Sequence, residues 1–309
     1  MVQSHIDHDD QVYLLAAQYL QLLEPQHLSI PPNDVLIRPA VQQLIYQSMF
    51  DEKHVWPIPP PGYRTRVLKI LISKLEESIS NPEEDEVLDD LMTSYSDLIS
   101  LPRQAPVEEA QAFACIRYTS PRGLDPRGCR YNDQYIITSE KRNLVFASGT
   151  TGFRTWEAAL HLGTYLSTPA GRSLIEGKKI IELGSGTGFL SMYCLKYLGA
   201  RSVTATDRDP ALISGIKDCA ILNDLSCSKI NAGIWEWGTP LKPGQLSLSG
   251  KSDQLFDAVL GADLIYDPDL VSLLLSTLRD LFDNHGVKVF IMSCTHRNPE
   301  TFNAFLNAC

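Results

Sequence analysis

Apolar residues in the first third of the chain recur at helical spacing. Tyr13, Leu14, Ala17, Leu20 and Leu22 form one set. Val67, Leu68, Leu71, Ile72, Leu75 and Ile79 form a second, and Val87, Leu88, Leu91, Met92, Tyr95, Leu98 and Ile99 a third. Steps of three and four place such residues on one face of a helix, so residues 1–110 are predicted to be a helical region. The stretch VWPIPPPGY at residues 55–63 separates the first two sets. Its prolines fix φ and lack the backbone donor a helix needs. Asn81-Pro82 divides the second set from the third in the same way.

The pattern changes after residue 112. Short apolar runs at 113–118 and 135–138 read as strands. A regular alternation follows: strand 178–183, helix 189–198 ended by Gly199, strand 202–206, helix 211–222, strand 229–234, strand 256–262, helix 270–282 and strand 287–293. Strands alternating with helices imply right-handed crossovers and a parallel sheet covered on both faces. The first of these strands, KKIIEL, is continuously apolar at its middle, as a strand buried on both sides should be. Residues 111–309 are therefore expected to form a doubly wound, Rossmann-like α/β domain.

Composition narrows the class. Of 309 residues, 44% are apolar and 21% charged, which excludes a disordered or collagen-like chain. No apolar run approaches the roughly 20 residues of a membrane helix. The polar, acidic start MVQSHIDHDD lacks the features of a secretion or mitochondrial leader. Seven cysteines, Cys115, Cys129, Cys194, Cys219, Cys227, Cys294 and Cys309, include no CxxC pair, so reduced thiols in a cytoplasmic or nuclear protein are expected, cytoplasmic by preference, and no metal site is. The seven histidines show no clustered ligand spacing, and His5 and His8 lie near the terminus. Net charge is −10; residues 1–150 carry 13 basic and 21 acidic side chains, residues 151–309 carry 14 and 16. Such a balance argues against nucleic acid as a ligand. Eight acids without a base between residues 76 and 90 fit a solvated helix–loop–helix surface better than a docking site for a basic partner.

The chemistry concentrates at Glu182-Leu183-Gly184-Ser185-Gly186-Thr187-Gly188. It follows a predicted strand and opens a predicted helix, where glycines allow a tight turn and let a ligand approach bare backbone. The spacing is GxGxG rather than the GxGxxG of dinucleotide dehydrogenases, and no GK[ST] follows. Glu182, two residues before the first glycine, would repel a pyrophosphate and suit a cation. Asp207 ends the next strand 19 residues beyond Gly188, about the ~20-residue interval at which a carboxylate reaches ribose hydroxyls. An acid at the glycine turn and an acid on the ribose fit S-adenosylmethionine, which carries a ribose, a sulfonium and an amino group but no phosphate. A later strand delivers Asp263 and Tyr266 to the carboxyl edge of the sheet, where open α/β sheets bind ligands.

The motif order ELGSGTG, TATD, WEWG and ADLIYD resembles the seven-strand, S-adenosylmethionine-dependent protein lysine methyltransferases of family 16, in which Asp-x-x-Tyr (Asp263 to Tyr266) is a signature. Thr151 to Ala159, TGFRTWEAA, is similar to the subgroup that methylates a lysine of eukaryotic elongation factor 2. The motifs cover residues 145–296; the N-terminal half resembles the subgroup in layout only. The resemblance implies that Trp156 packs near the cofactor, that Gly184, Ser185 and Gly186 admit its methionyl part with Glu182 near the amino group, and that Asp207 binds the ribose hydroxyls. It implies that Trp237 covers the adenine, that Ala262 lines the site, and that Asp263 and Tyr266 border the lysine channel as the catalytic pair. Core packing is an alternative for Trp156, Trp237 and Tyr266, and Trp235 is an alternative to Trp237. Thr155 is a candidate cap for the helix that follows it, with Glu157 favourable at the positive end of that helix.

The implied partner is a protein substrate, elongation factor 2, without nucleic acid or membrane, and the chain is expected to act as a monomer. Members of the family continue beyond the fifth strand through a helix into an antiparallel hairpin, and this sequence stops at Cys309 inside that helix. A catalytically inactive, protein-binding relative, a methyltransferase of another protein, and a dinucleotide oxidoreductase are the competing readings.

Overall fold

A computed structural model describes residues 8–102, 105, 108, 111–120, 134–141, 151–242, 244–246, 255–296 and 299–308. His5, Cys129 and Cys309 lie outside them. The chain forms two compact units, Met1–Thr119 and Ser120–Cys309. Among the described residues, no helix is long and apolar enough to cross a membrane.

The first unit is helical: α1 (His8–Leu20), α2 (Asn33–Leu36), α3 (Pro39–Met49), α4 (Pro61–Ser78) and α5 (Asp89–Ser100), followed by the strand β1 (Ala114–Thr119). The α4 stripe matches its expected face, with Val67, Leu68, Leu71, Ile72 and Leu75 all buried. The α1 face is rotated from the expected one. Val12, Leu15, Ala16, Tyr19 and Leu20 are buried, whereas Leu14 is 48% exposed. Leu14 and Leu15 are equally apolar neighbours, so spacing alone cannot choose between them. Tertiary packing chooses, because the Tyr19 ring stands 5.3 Å from Phe50 and 5.6 Å from Tyr63. On α5 only Leu91 and Leu98 are buried, and Met92 and Ile99 face outward. The proline-rich connector ends by starting a helix, with Pro61 opening α4, a position where the missing donor costs nothing.

The second unit contains β2 (Tyr135–Glu140), α6 (Glu157–Ser167), α7 (Pro169–Ser173), β3 (Lys179–Leu183), α8 (Phe189–Tyr197), β4 (Ser202–Asp207), α9 (Pro210–Leu222), β5 (Ile230–Ile234), β6 (Ala258–Ala262), α10 (Pro268–Asn284), β7 (Val289–Ser293) and α11 (Pro299–Ala308). Five strands form an all-parallel sheet in the order β5-β4-β3-β6-β7. The doubly wound, Rossmann-like arrangement and the helical N-terminal region are thus both present. The chain winds one way from β3 to β5 and then returns to place β6 on the other flank of β3. That reversal opens a crevice beyond the carboxyl ends of β3 and β6. The central strand is buried from Ile180 to Leu183, and α10 covers the sheet through Val271, Leu274, Leu278 and Leu281.

The α1 face has a direct check. Leu15→Ala should lower the stability of the helical unit by about 2–5 kcal/mol, whereas Leu14→Ala should cost less than about 1 kcal/mol, as read from urea unfolding. Equal costs would contradict the observed face.

Candidate active site

The loops after β3, β4, β5 and β6 contribute to one cavity of about 600 Å³, a volume typical of small-molecule sites. All ten residues singled out from the sequence, Trp156, Glu182, Gly184, Ser185, Gly186, Asp207, Trp237, Ala262, Asp263 and Tyr266, line it. Arg154, Thr155, Thr187, Arg208, Trp235 and Leu273 line it as well.

The turn after β3 is built from two constraints. Gly184 and Gly186 have φ of +57° and +51°, a region side chains resist. Each is also crowded: a Cβ on Gly184 would stand 2.9 Å from Leu264 and 3.3 Å from the Trp237 ring, and one on Gly186 would meet the Gly152 carbonyl oxygen at 3.0 Å. Hydrogen bonds then tie the turn to the end of β4. Ser185 donates its backbone N–H to the Thr206 carbonyl at 2.9 Å, and Gly186 donates its own to Asp207 Oδ2 at 3.1 Å. The other Asp207 oxygen accepts the Asp209 N–H at 3.1 Å. Burial pushes the Asp207 carboxyl above the ordinary value, and these backbone donors partly offset the rise.

Glu182 is 2% exposed and accepts a hydrogen bond from the Ser191 hydroxyl of α8. Burial, opposed by Ser191 and reinforced by Asp207, raises its carboxyl to about 7. Ser191 was missed from the sequence because it sits in an apolar helix with no motif around it.

On the other wall, Trp156 occupies the first position before α6 and donates Nε1–H to the Thr151 carbonyl at 3.0 Å. The Arg154 guanidinium lies 5.0 Å from its ring centroid and pairs with Glu157 at 3.0 Å. Thr155 does not cap this helix. The cap position belongs to Trp156 without any side-chain cap bond, because the Thr155 hydroxyl turns inward to Glu140 Oε1 at 2.6 Å.

Trp235 and Trp237 divide their roles. Trp235 is 2% exposed and donates Nε1–H to the Thr239 carbonyl at 3.1 Å, a core arrangement. Trp237 is only partly buried and its ring abuts the Gly184 turn. Beyond β6, Asp263 has φ +57° and is 7% exposed. Its N–H reaches the Ser293 carbonyl at 2.8 Å and its Oδ1 accepts the Thr295 N–H at 3.1 Å, holding the ends of β6 and β7 together. Left-handed backbone at a non-glycine residue is costly and marks functional turns. Tyr266 is half exposed at the rim, and partial burial raises its hydroxyl above the ordinary value.

The donor set fits S-adenosylmethionine. The lining holds Glu182, Asp207, Glu236 and Asp263 against Arg154 and Arg208, a balance that favours a cationic ligand over phosphates. The bare Gly184 turn gives that ligand a surface to rest on.

A family described as lysine methyltransferase matches residues 143–309. The protein-lysine N-methyltransferase EFM3 of Chaetomium thermophilum is 38% identical over 296 residues, 94% of this chain and 84% of its own. The EEF1A lysine methyltransferase 3 of Mus musculus is 33% identical over 54% of this chain and 71% of its own. The Homo sapiens protein-lysine N-methyltransferase EEF2KMT is 26% identical over 55% of this chain and 53% of its own.

Glu182 makes stability depend on pH. The folded chain holds this proton up to about pH 7, while an unfolded glutamate releases it near 4.5. Between those values the folded state binds more protons, so the stabilisation present at low pH is lost as pH rises through about 7. In urea titrations, the stability of the parent relative to Glu182→Gln should therefore fall with rising pH across that window. Parallel profiles would contradict the assignment.

Proposed function

The chain belongs to the lysine methyltransferase family, and from that premise we propose that its cavity serves methyl transfer from S-adenosylmethionine to a lysine of eukaryotic elongation factor 2. The enzyme is an S-adenosylmethionine-dependent protein-lysine N-methyltransferase. What carries the assignment of this cavity to that reaction is the meeting of Glu182, next to last in β3, and Asp207, the last residue of β4, with Asp263 and Tyr266 in one space. The similarity of residues 151–159 to the elongation factor 2 subgroup, and of about half of the chain to the human EEF2KMT, supports the substrate.

When bound, S-adenosylmethionine supplies an electrophilic methyl group on a sulfonium sulfur. The chain's own residues do the rest. Asp207 accepts the ribose hydroxyls with the lone pairs its backbone donors leave over. Trp237 covers the adenine, Trp156 packs beside the cofactor, and Gly184, Ser185, Gly186 and Ala262 form the bed. Glu182 faces the amino group. The nucleophile must be a neutral amine, yet lysine is mostly protonated because its reference pKa is ~10.4. The carboxylate of Asp263 and Oη of Tyr266 accept from the amine N–H groups and aim its lone pair at the reacting carbon, the proton passing to water. Alignment and exclusion of water supply most of the rate, worth up to ~7–11 kcal/mol.

Two measurements test this. Transfer of tritiated methyl from S-adenosylmethionine should label purified elongation factor 2 and leave elongation factor 1A unlabelled. The reverse outcome would keep the chemistry and discard the substrate. Separately, Asp263→Asn should reduce transfer by about 100-fold or more while changing cofactor affinity only a few fold. Asparagine tolerates the left-handed backbone and can still accept the Thr295 N–H, so a joint loss of affinity would make Asp263 a cofactor residue instead.

A further inference from the structure

Behind the glycine turn lies a buried chain of hydroxyls that ends on a carboxylate. Glu140, the last residue of β2, is 0% exposed. Its Oε1 accepts from the Thr138 hydroxyl at 2.7 Å and from the Thr155 hydroxyl at 2.6 Å. Thr155 Oγ1 also lies 2.6 Å from Thr187 Oγ1. Both Thr155 and Thr187 line the cavity, and Thr187 belongs to the glycine turn. Neighbouring bonds fix the strand that carries Glu140. Asn223 accepts the Ile137 N–H at 2.9 Å and donates to the Ile137 carbonyl at 2.7 Å, and Lys141 donates its N–H to the Phe153 carbonyl at 2.9 Å.

The polarity of this chain follows from counting hydrogens. A threonine hydroxyl has one hydrogen and two lone pairs. Thr155 spends its hydrogen on Glu140, so its contact with Thr187 requires Thr187 to donate. Thr187 then has no hydrogen left, and its hydroxyl can offer the cavity only lone pairs. A carboxylate or phosphate oxygen placed there would meet repulsion, whereas an N–H donor would be held. The ribose hydroxyls already have Asp207, and Thr187 stands in the turn that opens from Glu182. We infer that Glu140 is a positioning residue that sets the direction of the Thr155–Thr187 hydroxyl chain and so makes Thr187 an acceptor for the ammonium of the cofactor's methionyl arm. The inference rests on S-adenosylmethionine as the cofactor and assigns the recognition of one part of it.

Calorimetric binding of two ligands to the full chain separates this role from a scaffolding one. S-adenosylhomocysteine carries the ammonium; 5′-methylthioadenosine lacks the whole amino-acid arm; neither has a charged sulfur. Glu140→Leu removes the acceptor, so Thr155 turns its hydrogen onto Thr187 and the Thr187 hydrogen is freed toward the cavity. It should weaken S-adenosylhomocysteine by about tenfold or more and 5′-methylthioadenosine by less than about twofold. Thr187→Val should reproduce that selective loss, and Thr187→Ser should restore binding to within about twofold of the parent. Should Glu140→Leu not fold, the Thr187 pair decides alone. Equal weakening of both ligands, or no weakening of either, overturns the inference while leaving the cofactor reading intact. A parent chain that binds neither ligand overturns the cofactor reading itself.

Discussion

The site depends on one short tie: the carboxylate that ends β4 accepts the backbone N–H of Gly186. Everything at the sheet edge is arranged around it. The turn after β3 is held in left-handed conformations that only glycine adopts cheaply, and without a partner it would have no reason to keep one shape. Asp207 supplies that partner, and the neighbouring Ser185–Thr206 bond closes the other side. Strand pairing sets the distance, since Leu183 and Thr206 lie opposite each other in the β3–β4 register. The same carboxylate is therefore a structural clamp and, in the proposed mechanism, the ribose ligand.

Burial gives the site its electrical character. Glu182 and Asp263 are buried and Asp207 is partly so, and desolvation raises the Glu182 and Asp207 carboxyls. Leaving negative charge in such a place is costly. A bound cation would relieve that cost, so the site stores a preference for a positive ligand in its unliganded form. Glu140 and its hydroxyl chain extend the same preference behind the glycine turn. The asymmetry also explains why a pyrophosphate cofactor would be poorly served.

Much of this was legible in the sequence. Parallel alternation of apolar strands with helices predicted the sheet, and glycine spacing with acids at the ends of two successive strands pointed to the cavity. Those signals are local, and local geometry obeys them. What stayed hidden depended on residues far apart in the chain. Thr155 reads as a helix cap because threonine often caps; its inward turn is decided by Glu140, fifteen residues earlier at the end of β2. The buried face of α1 is decided by Phe50 and Tyr63, which no pattern within α1 records. Trp235 and Trp237 differ by two positions, yet the first is buried and the second only partly so, a difference that only the packing beyond β5 resolves.

A crystal structure of the chain with S-adenosylhomocysteine would test the central claim, that these acids and the glycine turn hold a cationic nucleoside cofactor. The account predicts the ribose hydroxyls on Asp207, the methionyl arm along Gly184 and Gly186 with its ammonium toward Glu182 and Thr187, and the sulfur facing Asp263 and Tyr266. A ligand bound elsewhere, or bound here with its ribose away from Asp207 and its carboxylate against Glu182, would contradict it.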